Sequence, residues 1–144
     1  MISISHIVIM FIAGLLSTMN IWVDKISHIR FSMNDIYMSL LMIGWMVLLT
    51  GLYQGVINYI YFGAIFVFVI FYAIRNQLFI SPNQYKLSMI PHHSMAILMS
   101  KKLIKRYDTP VYLRKLGQNI IRTQENEINI MNNYERNNYE INKL

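Results

Sequence analysis

The fold is decided by residues 36–74, which read IYMSLLMIGWMVLLTGLYQGVINYIYFGAIFVFVIFYAI and contain no charged residue. A break around Gly55 divides the stretch into two apolar runs, 36–53 and 57–74. Each run approaches the roughly 20 residues that an α-helix needs to cross a bilayer. Only helices and closed barrels satisfy their own backbone hydrogen bonds in lipid. The stretch therefore predicts two membrane-spanning helices joined by a tight hairpin.

A third apolar run, 4–23, precedes these two. No basic residue comes before it and no small-x-small cleavage site follows it, which favours a retained anchor over a cleaved signal peptide. We therefore expect residues 1–75 to form a membrane domain of three helices, with the lipid bilayer as its partner.

The composition agrees with a multi-pass membrane protein. Of the 144 residues, 55% are hydrophobic and only 14% are charged, whereas soluble domains carry about 25% charged residues. The chain has no cysteine, which excludes disulfides and thiolate metal cages.

Two further helices are predicted beyond the third run. Ser81-Pro82 with Gln84 resembles an N-cap, a first-turn proline and a capping box, and Thr109-Pro110 repeats the signal. The first helix should run from 81 to about 106 and the second from 109 to about 134, as an antiparallel hairpin outside the membrane. Residues 135–144 repeat Asn, Tyr and Glu and are expected to form a flexible tail.

The second of these helices carries a packing stripe that contains two polar residues. Residues at steps of three and four share one helix face; here they are Leu113, Leu116, Ile120, Gln124, Glu127 and Met131. A carboxylate in a packing face is costly unless it meets a cation, a donor or a metal. Glu127 is therefore expected to face such a partner on the other helix.

The partner helix offers residues 89–99, which read MIPHHSMAILM. Thioether sulfur and imidazole nitrogen are ligands that copper(I) prefers. His92 and His93 point about 100° apart on a helix, so His92 aligns with Met95 and Met99 while His93 aligns with Met89. Pro91 removes one backbone hydrogen bond, and the resulting bend can turn both rings toward one site.

Both helices resemble the family known as domain of unknown function 305. The family's hallmarks are M-I-P-H-H with a later methionine, here 89–93 and Met99, and I-I-x-x-Q-x-x-E-I-x-x-M, here 120–131. The upstream chain is similar to the family's membrane-anchored branch, which carries Y-M-x-x-L-M-x-x-x-M in its second span, here 37–46, and R-x-Q after its third, here 75–77.

The resemblance implies a ferritin-like helical bundle and, in some members, copper or silver binding in bacterial metal tolerance. One position departs from the family: Pro82 stands where an acidic residue is usual. Fuller members supply four helices to the bundle, whereas this chain supplies two. Two helices bury little surface, so we expect a homodimer to complete a four-helix bundle.

The first functional hypothesis is binding of copper(I) or silver(I) for sequestration or hand-over. The expected metal ligands are His92, His93, Met89, Met95, Met99 and Met131. Glu127 and Gln124 would not bind the metal themselves but would orient a ligating histidine. A further stripe in the second span, Met38, Met42 and Met46, could pass a soft cation between thioethers, or could simply be lipid-compatible packing.

The second hypothesis is a structural or assembly membrane protein, viral in origin, in which the histidines and Glu127 only stabilise helix packing. No Glu-x-x-His pair, phosphate loop or activated nucleophile is present, so an enzyme is not expected. The basic cluster 101–115 is expected to be a solvated face and not a nucleic-acid site, and no small-molecule substrate is evident. Positive charge favours a cytoplasmic C-terminal domain whereas the bacterial relatives favour the opposite side, and the sequence leaves the side open.

Overall fold

The computed structural model describes residues 2–133, and every regular element in that range is helical. The five α-helices are α1 (Ile4–Leu16), α2 (Met33–Gln54), α3 (Ile57–Arg75), α4 (Pro82–Ile104) and α5 (Val111–Asn132). Two short 3-10 turns, Met19–Trp22 and Ile26–His28, lie between α1 and α2. The predicted all-α fold, with three apolar helices followed by two more, is confirmed. The predicted tail, 135–144, lies outside the described residues.

The described chain divides into two compact units. The first contains residues 2–18 and 31–85, and the second contains residues 19–30 and 86–133. The first unit therefore holds α1, α2 and α3. The second holds α5, most of α4 and the connection between α1 and α2, which we call segment 19–30.

Three stretches are long and apolar enough to cross a membrane: Ile4–Trp22, Met33–Gln54 and Ile57–Arg75. Within the first stretch, α1 ends at Leu16, because the Ser17 N–H closes onto the Gly14 carbonyl at 3.1 Å and the chain then tightens into the 3-10 turn. At 1.5 Å per residue, α1 alone is about 20 Å long, which is shorter than the roughly 30 Å hydrocarbon core. The 3-10 turn that follows α1 must therefore form the end of any membrane-spanning segment here.

Small residues let the helices of the first unit approach closely. A Cβ added at Gly63 of α3 would lie 2.5 Å from the Leu48 backbone nitrogen of α2, and one at Gly14 of α1 would lie 2.8 Å from the Ser39 Cα. Gly44 and Gly51 lie equally near α3. These two glycines therefore also allow close contact between α2 and α3.

The start of α2 is fixed by polar side chains, which explains why it begins three residues before the predicted apolar run. The Asp35 carboxylate accepts hydrogen bonds from the Ser32 N–H (2.8 Å) and hydroxyl (2.9 Å). The Gln84 side-chain oxygen accepts the Met33 N–H at 2.8 Å. Gln84 therefore satisfies an orphan donor of α2, instead of folding back on its own helix start as the capping-box pattern suggested.

The second unit is built around Ile90 and Ile97 of α4 and Ile128 of α5, all almost fully buried, with Ile121 and Met131 packed against them. The predicted packing face of α5 is rotated by about one residue. Leu116 is exposed, whereas Gly117 is buried where an added Cβ would meet Ile104 at 2.9 Å. The absence of a side chain at 117 lets α4 approach at this point, and the more hydrophobic leucine is left outside.

The turn between α4 and α5 also differs from expectation. The Thr109 hydroxyl donates to the Leu103 carbonyl at 2.7 Å, so it closes the end of α4 and does not cap α5. The Arg114 guanidinium donates to the carbonyl of Ile104, an orphan acceptor at the end of α4, and to that of Arg106 in the following turn. Part of the basic cluster is thus used to terminate a helix.

Candidate functional site

The two adjacent histidines lie in the middle of α4, directly after the buried Pro91. Their ring centroids are 5.9 Å apart and the ring planes make an angle of 65°. His92 is exposed and His93 is half-buried. The two rings are therefore neighbours, but only His93 is turned toward the interior of the unit.

His93 meets Glu127 across the contact between α4 and α5. The His93 Nδ1 and Glu127 Oε2 atoms are 2.8 Å apart, and the two side chains are 13% and 41% exposed. Both atoms are shielded from solvent, and within residues 2–133 neither has a hydrogen-bond partner of regular geometry, so their close approach is an ion-pair contact. An ionised carboxylate can only accept, so the tautomer that suits both atoms carries its proton on Nδ1 and leaves the lone pair on Nε2.

Burial lowers the pKa of His93, and the neighbouring Glu127 opposes that effect. The charge of His92 contributes further lowering. Burial therefore favours the neutral ring, which is the state that a metal ion requires.

The predicted sulfur ligands fall on two sides of α4. His92, Met95 and Met99 recur at steps of three and four, and Met99 is 57% exposed. Met89, four residues before His93, is half-buried on the side that faces Glu127. The five predicted α4 ligands thus lie in two neighbouring stripes along one helix.

On α5, Met131 packs against the isoleucine core and Gln124, one turn before Glu127, is half-buried. Within the described residues no group of three or more His, Cys, Asp or Glu side chains is placed to hold a metal ion. Any metal site here must therefore use thioethers alongside the histidines.

The predicted methionine stripe of α2 begins on an outer face of that helix. Met38 is exposed, while Met42 and Met46 are half-buried.

Segment 19–30 supplies polar groups that the sequence patterns did not reveal. The fully buried Ser94 hydroxyl, adjacent to His93 in α4, accepts the Asp24 N–H at 2.8 Å and lies 2.8 Å from His28 Nδ1. The Asp24 carboxylate binds the Lys101 ammonium at 2.7 Å, and this contact raises the pKa of Lys101. The one available signal was Asp24, the only acidic residue before Asp35.

The ends of segment 19–30 are joined by a pair of hydrogen bonds. The Asn20 side chain donates to the Arg30 carbonyl at 2.7 Å and accepts the Arg30 N–H at 2.9 Å. Since one amide group satisfies both backbone groups of Arg30, the segment is held as a closed loop.

A cavity of about 180 Å³ opens beside this loop, lined by Lys25, His28, Glu125, Ile128 and Asn129. Burial lowers the pKa of His28, and the nearby charges of Lys25 and Arg30 lower it further. Lys25 and Glu125 give the cavity walls one positive and one negative charge. The cavity therefore does not select an anionic or a cationic ligand.

Comparison with known proteins finds a family match and a viral relative. Residues 83–143 match the Domain of unknown function (DUF305). An uncharacterised protein of Acanthamoeba polyphaga mimivirus is 45% identical over 127 residues, which are 85% of this chain and 83% of the viral protein. The chain belongs to the family of this viral protein. No solved structure matches.

The DUF305 match begins at residue 83 and therefore includes both helices that supply the His93–Glu127 contact. Segment 19–30 lies outside the match. The hydrogen bonds that tie this segment to Ser94 and Lys101 are thus made between the DUF305 region and a part of the chain that precedes it.

Proposed function

We propose that this chain is a three-span membrane protein whose second unit binds copper(I) or silver(I) and sequesters the ion or hands it over, without chemical turnover. The observation that carries the metal proposal is the 2.8 Å contact between His93 Nδ1 and Glu127 Oε2. Carboxylates that hold the far nitrogen of a histidine commonly orient it toward a metal. The arrangement leaves His93 Nε2 as the ligating atom.

The donor set suits a soft monovalent ion. We propose His92 and His93 as nitrogen ligands, with sulfur drawn from Met89, Met95, Met99 and Met131. Soft thioether ligands select copper(I), whereas magnesium and calcium prefer oxygen. Gln124, one turn from Glu127, would support the same ring from α5. No group in this set activates a nucleophile or a water molecule, which is why we propose binding and not catalysis.

A metal titration tests the proposal. Copper(I) is titrated into the detergent-purified protein against a competing chelator, with silver(I) as a redox-inert check. The His92→Ala/His93→Ala variant is expected to lose binding, and Glu127→Gln to weaken it by roughly 10- to 100-fold. His6→Ala, at the exposed start of α1, is the matched control and should bind as the wild type does. Equal binding by the double variant would refute the site.

The membrane proposal is supported by the outward faces of the apolar helices. Phe68, Tyr61 and Ile65 of α3 are each more than half exposed. Contiguous apolar surface of this kind is rarely left in water by monomeric proteins. Lipid contact would bury it.

The grouping of segment 19–30 with α4 and α5 supports an even number of crossings between that segment and α4. Exactly two of the apolar helices, α2 and α3, separate the segment from α4 along the chain. If both cross the membrane, the segment and α4 emerge on the same side, as membership of one compact unit requires. The α2–α3 turn at Gly55 would then lie on the opposite side.

The distribution of positive charge supports a cytosolic location for the second unit. All 13 Lys and Arg residues follow Val23, and none lies between Arg30 and Arg75. With three crossings, all of them fall on the side of the second unit. The positive-inside rule then orients this unit toward the cytosol.

Because the chain lacks cysteine, single-cysteine variants test this topology directly. Tyr53→Cys and Tyr107→Cys both replace highly exposed side chains, near the Gly55 turn and in the second unit. A membrane-impermeant thiol reagent should label the first in intact cells and the second only after permeabilisation. Reversed labelling would overturn the orientation. Labelling of both from one side would overturn the three crossings.

We also propose a homodimer, supported by apolar side chains left exposed on α5, Leu116 and Ile130. Their burial in a second copy would complete a four-helix bundle. Mass measurement in detergent solution tests this, and a strictly monomeric protein would contradict it.

The same His93–Glu127 contact favours a second candidate, a structural membrane protein in which this pair only locks α4 to α5. The buried atoms of the pair have no other partner within residues 2–133, so removal of either group is costly whether or not a metal binds. In this case His93→Ala destabilises the protein equally with and without silver(I). Under the metal proposal, silver(I) stabilises the wild type and not the variant.

A further inference from the structure

Segment 19–30 has an unusual distribution of side chains. Three of its polar residues are held by hydrogen bonds inside the unit, whereas Lys25 and Ser27 are exposed. The Asp24 N–H bonds Ser94 and its carboxylate binds Lys101, His28 lies against Ser94, and Asn20 holds the Arg30 backbone. Its large apolar side chains are left exposed: Met19, Ile21, Trp22, Ile26 and Ile29. Ile26 is 86% exposed.

So many exposed large apolar side chains are unusual in a loop that faces water. Surface loops place polar groups outward, and exposed clusters of large apolar side chains mark an interaction surface. The hydrogen bonds that turn the polar groups inward also fix the apolar side chains outward. The exposed set is therefore built into the unit and does not result from a loose connection.

The position of segment 19–30 in the chain places this apolar surface close to the ends of two candidate membrane spans. Trp22 ends one candidate span and Met33 begins the next. An extended chain advances at most about 3.6 Å per residue, so Ile26 lies within roughly 14 Å of the end of the first span. The exposed Lys25 stands among these apolar side chains. Tryptophan with a neighbouring cation is the pattern that favours the headgroup boundary of a bilayer.

We propose that segment 19–30 is a membrane-surface anchor, with Met19, Ile21, Trp22, Ile26 and Ile29 immersed at the boundary between headgroups and acyl chains. Lys25 reaches the lipid phosphates. The inference rests on the three-span topology proposed above and is independent of metal binding. Through Asp24 and His28, the anchor holds Ser94 and Lys101 of α4, so the DUF305 region is fastened to the lipid surface at a point other than the start of α4.

Tryptophan fluorescence in nanodiscs with brominated phosphatidylcholine tests the anchor. The chain has two tryptophans, Trp22 and Trp45. Ile26→Trp in a Trp22→Phe/Trp45→Phe background places one reporter at the most exposed position of the segment. We expect blue-shifted emission that is quenched more strongly by bromines near the headgroup than by bromines deep in the acyl chains, and protection from an aqueous quencher.

Two single-tryptophan controls separate the possible failures. Trp45, near the middle of α2, should be quenched most by deep bromines; if it is not, the three-span topology itself fails. Tyr107→Trp replaces a side chain that is 98% exposed in the same unit and should respond only to the aqueous quencher.

If Trp45 behaves as expected and the reporter at position 26 is quenched from water, the anchor is refuted. Protection of that reporter from water without quenching by bromine would mean that another protein surface covers it, which also overturns the proposal.

Discussion

Ser94→Ala is the perturbation whose effect follows most directly from the structure. The Ser94 hydroxyl is fully buried, accepts the Asp24 N–H and lies 2.8 Å from His28 Nδ1. Each lost hydrogen bond costs about 1 kcal/mol, and a donor left without an acceptor costs a similar amount. The variant should therefore lose roughly 2 kcal/mol of the free energy that holds segment 19–30 on α4.

Limited proteolysis in detergent measures this local effect. Trypsin can cut after Lys25 only when segment 19–30 opens, and cleavage follows the open population when opening is fast. A loss of 2 kcal/mol corresponds to roughly 30-fold more of the open form, so cleavage at Lys25 should accelerate by about that factor. Fragment mass identifies the cut.

Thr123→Ala is the control, because it removes a hydroxyl from an exposed position of α5 in the same unit. It should leave cleavage at Lys25 unchanged. If Ser94→Ala is cut at the wild-type rate, or if both variants accelerate equally, the hydrogen bonds through Ser94 do not hold the segment and the argument fails.

Three other outcomes are expected. Asp24→Asn should cost about 0.5–1 kcal/mol in thermal unfolding, because Asp24 is paired with the partly exposed Lys101; an unchanged melting temperature would contradict this. Gly63→Ala should destabilise the first unit by roughly 1–3 kcal/mol in denaturant titration, since the added carbon would lie 2.5 Å from the α2 backbone; wild-type stability would refute the close contact. Burial lowers the pKa of His28 and of His93, so below about pH 6.5 the unfolded chain binds protons that the folded chain does not. Stability should therefore be full above that pH and fall as the solution is acidified; a pH titration of unfolding should flatten when both histidines are replaced by glutamine.

Local pattern was sufficient for most of the helical architecture. The uncharged runs predicted the apolar helices, because hydropathy and length are properties of contiguous residues. The three- and four-residue spacing on α5 placed Glu127 toward the other helix, and the structure brings it to His93. The proline signals located the starts of α4 and α5 to within two residues, because proline fixes its own backbone angle.

Only the tertiary structure decided which face each helix uses and what the polar side chains bind. Gly117 and not Leu116 is buried on α5, because close approach to Ile104 leaves no room for a larger residue. Gln84 satisfies the start of α2, 51 residues away in sequence. Asp24 and His28 bind α4 across 66 to 77 residues. Such contacts depend on the distance between separate helices after folding, and no periodicity in the sequence records that distance.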